Sequence, residues 1–245
     1  MKIKKLTEHI GAEISGIRID SLEQSEIDEI KEAWLAHKVL VFRDQPISVE
    51  AHIAFGKHFG ELEIHPFADN LEDFPEIIVL EAGGDSPRQN YNAAQDWHID
   101  VSFREKPPLG SILRGKAIPE HGGDTHFANA AAAYERLDSD IKSRVDDLFA
   151  VNDYTKMFGP NTRFNSEESH EENKAKFPPV LHPVIRTHPE TGLRSIFTNN
   201  FFTSHIDGLD TEESEYLLAE LAKAVRDEEL HFSVQWQPET FVMWD

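Results

Sequence analysis

His98 and Asp100, in Trp97-His98-Ile99-Asp100, are the residues whose types and spacing best suit metal chemistry. In a strand, residues two apart share a face, so this spacing presents an imidazole nitrogen and a carboxylate oxygen to one ion. These are two legs of the two-histidine-one-carboxylate triad, whose open coordination positions suit non-haem Fe(II) oxygenases. Spacing alone is a weak signal and more often marks two polar residues making surface contacts. The chain contains no cysteine, which excludes thiolate metal sites, cysteine nucleophiles and disulfides. Any metal here is held by nitrogen and oxygen donors.

Several elements must position this pair. Ile10 to Ile19, with Gly11 and Gly16, suits a short bent strand. Ser25 with Asp28 marks the start of a helix bearing Ile27, Ile30, Trp34 and Leu35, and Val39-Leu40-Val41-Phe42 reads as a buried strand. Ser48 begins a second helix, with Ile53, Phe55 and Phe59, that ends at Gly60. Glu76 to Leu80 reads as a strand, and the Gly-, Asp-, Pro- and Asn-rich residues 81–92 as a loop leading to the pair. Downstream, Leu109 to Gly115 reads as a strand, Asn129 to Leu137 and Ile141 to Phe149 as helices, and 159–179 as a polar excursion over the surface. A hairpin follows, with strands Pro183 to Thr187 and Leu193 to Thr198. Asp210 with Glu213 caps a last helix with Tyr216, Leu217, Leu221 and Val225 on one apolar face, and Thr240 to Trp244 closes as a strand. Strands outnumber helices, and nothing suggests repeats or a linker, so the expectation is one mainly β domain over 1–245 with flanking helices.

The formal charge of −21 and the lack of a basic stripe argue against nucleic acid as a partner. No run of 18 apolar residues could span a bilayer, and the lysine-containing N-terminus is not followed by an apolar signal segment, so a cytoplasmic, non-membrane protein is expected. A small anionic substrate stays open, because net charge sets the far field and not the local pocket.

At IGAEISGI, FRDQPIS, FGELEIHP, WHIDVSF, HGGDTHFANAAAAYERL, LHPVIRTHPETG and FVMWD, in that order and nearly end to end, the sequence resembles the taurine dioxygenase (TauD/TfdA) family. The resemblance implies a distorted double-stranded β-helix, a jelly roll with a cupin-like core. It implies an Fe(II)- and 2-oxoglutarate-dependent dioxygenase that uses O2 to hydroxylate a small anionic substrate, sulfonate-like or carboxylate, and releases succinate and CO2. It also implies that His98 and Asp100 are iron ligands, that Thr125 contacts the 2-oxoglutarate carboxylate, and that His65 holds the substrate anion. Val101, Phe103, Phe158 and Phe202 match its apolar pocket wall. Taken singly, each phenylalanine is explained as readily by plain core packing, Thr125 less readily by a capping turn, and a histidine before proline such as His65 is more often a loop residue. Family members assemble as dimers or tetramers, so a homodimer or homotetramer is the expectation.

Two positions depart from the taurine enzyme. Ala68 stands where it has a tyrosine and Ala94 where it has an asparagine, which removes hydrogen-bonding groups and points to a substrate other than taurine. After FVMWD the family continues into a segment carrying the second histidine ligand and two anion-binding arginines. The sequence stops at Asp245, so the expectation is a domain lacking that segment. His121, His126, His182, His188, His205 and His231 are other histidines, none at the family position. A non-catalytic small-ligand-binding protein of the same fold is the alternative, and a zinc hydrolase ranks behind both.

Overall fold

The computed structural model describes residues 1–65, 70–80, 96–160 and 167–245. In chain order the elements are β1 (Lys2–Lys5), β2 (Ala12–Ser15), α1 (Gln24–His37), β3 (Val39–Phe42), α2 (Val49–Lys57), β4 (Ser111–Gly115) and β5 (Thr125–Ala128). Then come α3 (Ala130–Arg136), α4 (Ser139–Val145), β6 (Phe149–Asn152), α5 (Glu167–Lys176), β7 (Val180–Pro183), β8 (Ile185–Thr187) and β9 (Arg194–Ile196). The chain ends in β10 (Thr203–Ile206), α6 (Thr211–Val225), β11 (His231–Val234) and β12 (Thr240–Trp244).

β3 is apolar at every position because both of its faces are covered. It lies inside a five-stranded sheet ordered β1-β2-β3-β12-β4, in which Val41 pairs with Val242. Leu40 and Phe42 pack on one face with Trp34 of α1 and Phe55 of α2, together with Phe241 and Met243. Val39, Val41 and Val242 point to the opposite face, where Val234, Phe127 and Phe232 of the β5-β11 ribbon meet them. One face of the large sheet is thus roofed by helices and the other packs on a second sheet. A further core joins α3, α4 and α6 to the β8-β9 hairpin through Ala133, Ile141, Ile185, Ile196, Leu217 and Leu221.

Local signals explain several boundaries. Ser48 accepts the Ala51 N–H to cap α2, and Asp210 accepts the Glu213 N–H to cap α6. The first helix starts one residue before Ser25: the Glu26 carboxylate accepts the Glu23 N–H in a capping box, so Glu23 is its cap. Tyr216 leaves the predicted apolar face of α6 and is 49% exposed, lying under the Arg144 guanidinium. The helix through Ile141 stops at Val145, and Phe149 begins β6 instead.

Other expectations need larger correction. Glu76 to Leu80 is not a strand; it makes a single bridge, Asn70 to Ile78, and Leu80 is 70% exposed. Among the described residues the apolar side chains there have no neighbouring strand to pair with. The polar stretch 159–179 contains α5, a helix rich in Glu and Lys. Trp97 to Asp100 is not a strand either, but an irregular segment running into a turn. Among the described residues no helix is long and apolar enough to cross a membrane.

Candidate active site

The pair converges although no ladder holds it. His98 Nε2 and Asp100 Oδ1 lie 3.4 Å apart, with side chains 37% and 40% exposed. Val101, with φ of 45°, turns the backbone directly after Asp100. That conformation is rare for a β-branched residue and costs on the order of 1–3 kcal/mol, so the surrounding structure must hold it. Ser111, the first residue of β4, donates to Asp100 Oδ2 at 2.8 Å. His98 Nδ1 donates to the Asp96 carbonyl at 3.0 Å, which aims Nε2 toward Asp100. The Phe201 ring stacks on the imidazole at 4.6 Å and 5°.

The electrostatics follow from this geometry. Burial lowers the His98 pKa, but the bonds to Asp100 and to the Asp96 carbonyl outweigh it and leave the imidazole raised. Burial pushes Asp100 up, while His98, Ser111 and the nearby His65 bring it down to a net lowering. Burial and then the Arg104 charge lower His65. The Asp100 charge opposes this in part, and the net lowering favours the neutral imidazole.

One cavity of about 80 Å3 is bordered by His98 and Asp100 together with His65, Val101, Phe103, Phe158 and Phe202. Phe103 is its structural centre, with ring contacts to Phe202 at 5.0 Å, Phe177 at 5.5 Å, Tyr154 at 5.8 Å and Phe158 at 6.1 Å. Val101, Phe103, Tyr154, Phe158 and Phe202 form one buried cluster, so core packing and pocket lining coincide here. Met157 and Phe201 also border the cavity. The sequence singled out Phe202 and passed over Phe201, although an Asx turn at Asn199, which accepts both of their backbone N–H groups, sets the two together. Nothing in the sequence marks Ser111.

Thr125 is not on that wall. It opens β5 after Gly122 and Gly123, whose φ of 78° and 82° make the turn that delivers it. Its Oγ1 accepts the Trp236 indole N–H at 2.9 Å, which leaves its own O–H to donate. Three of the alternative histidines serve elsewhere: His182 Nε2 donates to Arg104 O, His231 Nε2 to Val225 O, and His188 Nδ1 accepts two backbone N–H groups. Among the described residues, no group of three His, Asp or Glu side chains forms a metal-holding cluster. Ala68 and Ala94 lie outside the described residues.

Comparison with known proteins bears on the family and the fold. An alkylsulfatase of Acinetobacter baylyi is 36% identical over 251 residues, covering 100% of this chain and 77% of that protein. An (S)-phenoxypropionate/alpha-ketoglutarate-dioxygenase of Sphingobium herbicidovorans is 30% identical, covering 99% of this chain and 85% of its own length. A crystal structure of a taurine dioxygenase from Burkholderia xenovorans superposes with a TM-score of 0.82 at 32% identity, covering 100% of this chain and 79% of that one. The mainly β, jelly-roll fold with flanking helices is thus the one this chain has. The profile described as "Taurine catabolism dioxygenase TauD, TfdA family" matches residues 2–245, and the chain belongs to that family of 2-oxoglutarate-dependent dioxygenases.

Proposed function

We propose that this 2-oxoglutarate-dependent dioxygenase holds Fe(II) through His98 and Asp100 and hydroxylates a small organic anion, with alkyl sulfate esters and sulfonates ahead of carboxylates. The observation that carries the reading is the convergence of His98 Nε2 and Asp100 Oδ1 to 3.4 Å on the wall of an aromatic cavity that His65 also borders. The donor set fits the metal: one neutral-capable imidazole oriented through its other nitrogen, and one carboxylate steadied by a hydroxyl. Bound there, Fe(II) supplies open positions for 2-oxoglutarate and O2, whose reaction yields succinate and CO2.

The chain's own residues supply the rest. His98 Nε2 and Asp100 would hold the cation only in their deprotonated forms, so binding would weaken as pH falls. His65 donates a hydrogen bond from a ring N–H to one oxygen of the substrate anion and so fixes its distance from the pair. Phe103, Phe158, Phe202 and Val101 exclude water from the substrate's apolar part. Thr125 donates to the 2-oxoglutarate carboxylate, with Trp236 setting its hydroxyl. The likeness to an alkylsulfatase supports ranking sulfate esters first, and Ala68 and Ala94, where the taurine enzyme has hydrogen-bonding groups, support ranking taurine last.

The test is succinate release by the full-length protein with Fe(II), 2-oxoglutarate and O2, in the presence of hexyl sulfate, hexanesulfonate or phenoxyacetate. Stimulation by hexyl sulfate, lost in His98→Ala and Asp100→Asn, is expected. Stabilisation by the anions that needs neither metal nor ketoacid, with no succinate from any of them, would instead indicate a binding protein of the same fold.

A further inference from the structure

Among the described residues the segment carrying His98 joins no strand ladder, yet three consecutive side chains are gripped from elsewhere. The Asp96 carboxylate accepts Arg226 Nη2 at 2.9 Å through Oδ1 and Asn200 Nδ2 at 2.7 Å through Oδ2. Oδ1 also accepts the Trp97 N–H at 2.8 Å, which ties the carboxylate to the backbone it must hold. The Trp97 ring packs on His231 at 4.4 Å, and His231 is itself anchored to Val225 O at the end of α6. Phe201, next to Asn200, covers the His98 ring. The end of α6 therefore grips positions 96 and 97, and residues 200–201 grip positions 96 and 98. The 199–201 loop has its own anchor, since Asn199 Nδ2 donates to the buried Ser102 Oγ.

We infer that Asp96 is a positioning residue: clasped by Arg226 and Asn200, it fixes the carbonyl that receives His98 Nδ1–H and so presents His98 Nε2 beside Asp100. The inference rests on the metal-site reading above. It takes Asp96 beyond a surface ion pair. Arg226 and Asp96 are 48% and 35% exposed, and such a pair by itself adds little to stability. Its effect falls on ligand geometry. Where a ligand's hydrogen-bond support is removed, metal affinity drops about 10–100-fold. Arg226 lies 130 residues from Asp96 in sequence, so the end of α6 is a second handle on the same clasp.

The test uses the full-length protein with Co(II) as the probe, read by a competing chelator and by its ligand-field absorption, together with 15N shifts of the His98 ring in the metal-free protein. Asp96→Ala is expected to weaken Co(II) about 10–100-fold, to change its absorption band, and to mix the His98 tautomers, while leaving urea stability nearly unchanged. Arg226→Gln is expected to shift all three readouts in the same direction. Asp96→Asn should recover part of the loss, because its amide oxygen still accepts from Trp97 and Arg226. Unaltered ring shifts in both Asp96→Ala and Arg226→Gln overturn the positioning role, whether or not metal binds. Failure of the unmodified protein to bind Co(II) through His98, with ring shifts that do respond to Asp96→Ala, overturns the metal reading and keeps the positioning one.

Discussion

Phe103→Ala tests whether the cavity wall and the local core are one structure. Phe103 is 1% exposed and touches four aromatic rings, so truncation removes a buried ring and leaves its partners facing a void. Burial of the side chain is worth roughly 1.5–3 kcal/mol, and the unfilled space raises the cost of Phe→Ala to about 3–5 kcal/mol. With four rings converging, the upper half of that range applies, about 4 kcal/mol. At about 2–4 °C per kcal/mol for a chain of this size, Tm should fall by roughly 8–16 °C. Urea titration at constant m gives the free energy directly. The void adjoins the cavity of about 80 Å3, so the variant should also shift its preference from hexyl sulfate toward a bulkier anion such as 2-ethylhexyl sulfate. A loss below about 1.5 kcal/mol, under half the Phe→Ala range, with the original preference kept, would show that Phe103 is not the shared element of wall and core.

His52 packs edge-on against Phe241 at 4.8 Å, and burial followed by the Arg114 charge lowers its pKa to about 4 from 6.5. Between those values the unfolded chain binds a proton that the folded one refuses. Stability from His52 is therefore complete above pH 6.5 and declines as pH falls toward 4, by about 2 kcal/mol at pH 5. Urea titrations at pH 7.5 and 5 should show a smaller decline in His52→Gln, and an equal decline in both proteins would refute the assignment. Thr125→Val strands the Trp236 indole N–H in a half-buried site, which should cost about 1–3 kcal/mol and shift tryptophan emission, while Thr125→Ser restores both. Unchanged emission in Thr125→Val would count against that hydrogen bond.

What was legible in the sequence was what local chemistry decides. Val39 to Phe42 could be read as a strand covered on both faces, and Ser48 and Asp210 as caps, because their neighbours in sequence supply the partners. Thr203 to Ile206 and His231 to Val234 went unrecognised as strands: they are short and partly polar, and distant strands at Ala150 to Asn152 and Thr125 to Ala128 make them so. The site divides in the same way. His98 and Asp100 announced themselves by type, but the strand invoked to align them does not exist, and contacts with Ser111, Phe201 and the Asp96 carbonyl take its place. His65 and Phe158 came from the order of family motifs, since no periodicity relates them to position 98. Ser111 could not have been found, for its role exists only once β4 lies beside the turn at Asp100.

The position of β12 bears on how the protein is made. It fills the slot between β3 and β4, setting Val242 between Val41 and Leu113. Until the ribosome has released residues 240–244, both neighbours present open edges, and the apolar surfaces of Val39 to Phe42 lack their cover. The early elements β1, β2, α1 and β3 therefore emerge as an unfinished layer that must wait for residues 240–244. Chaperone demand and aggregation of nascent chains should concentrate in that interval, and a chain interrupted before Thr240 would keep the edge permanently unpaired.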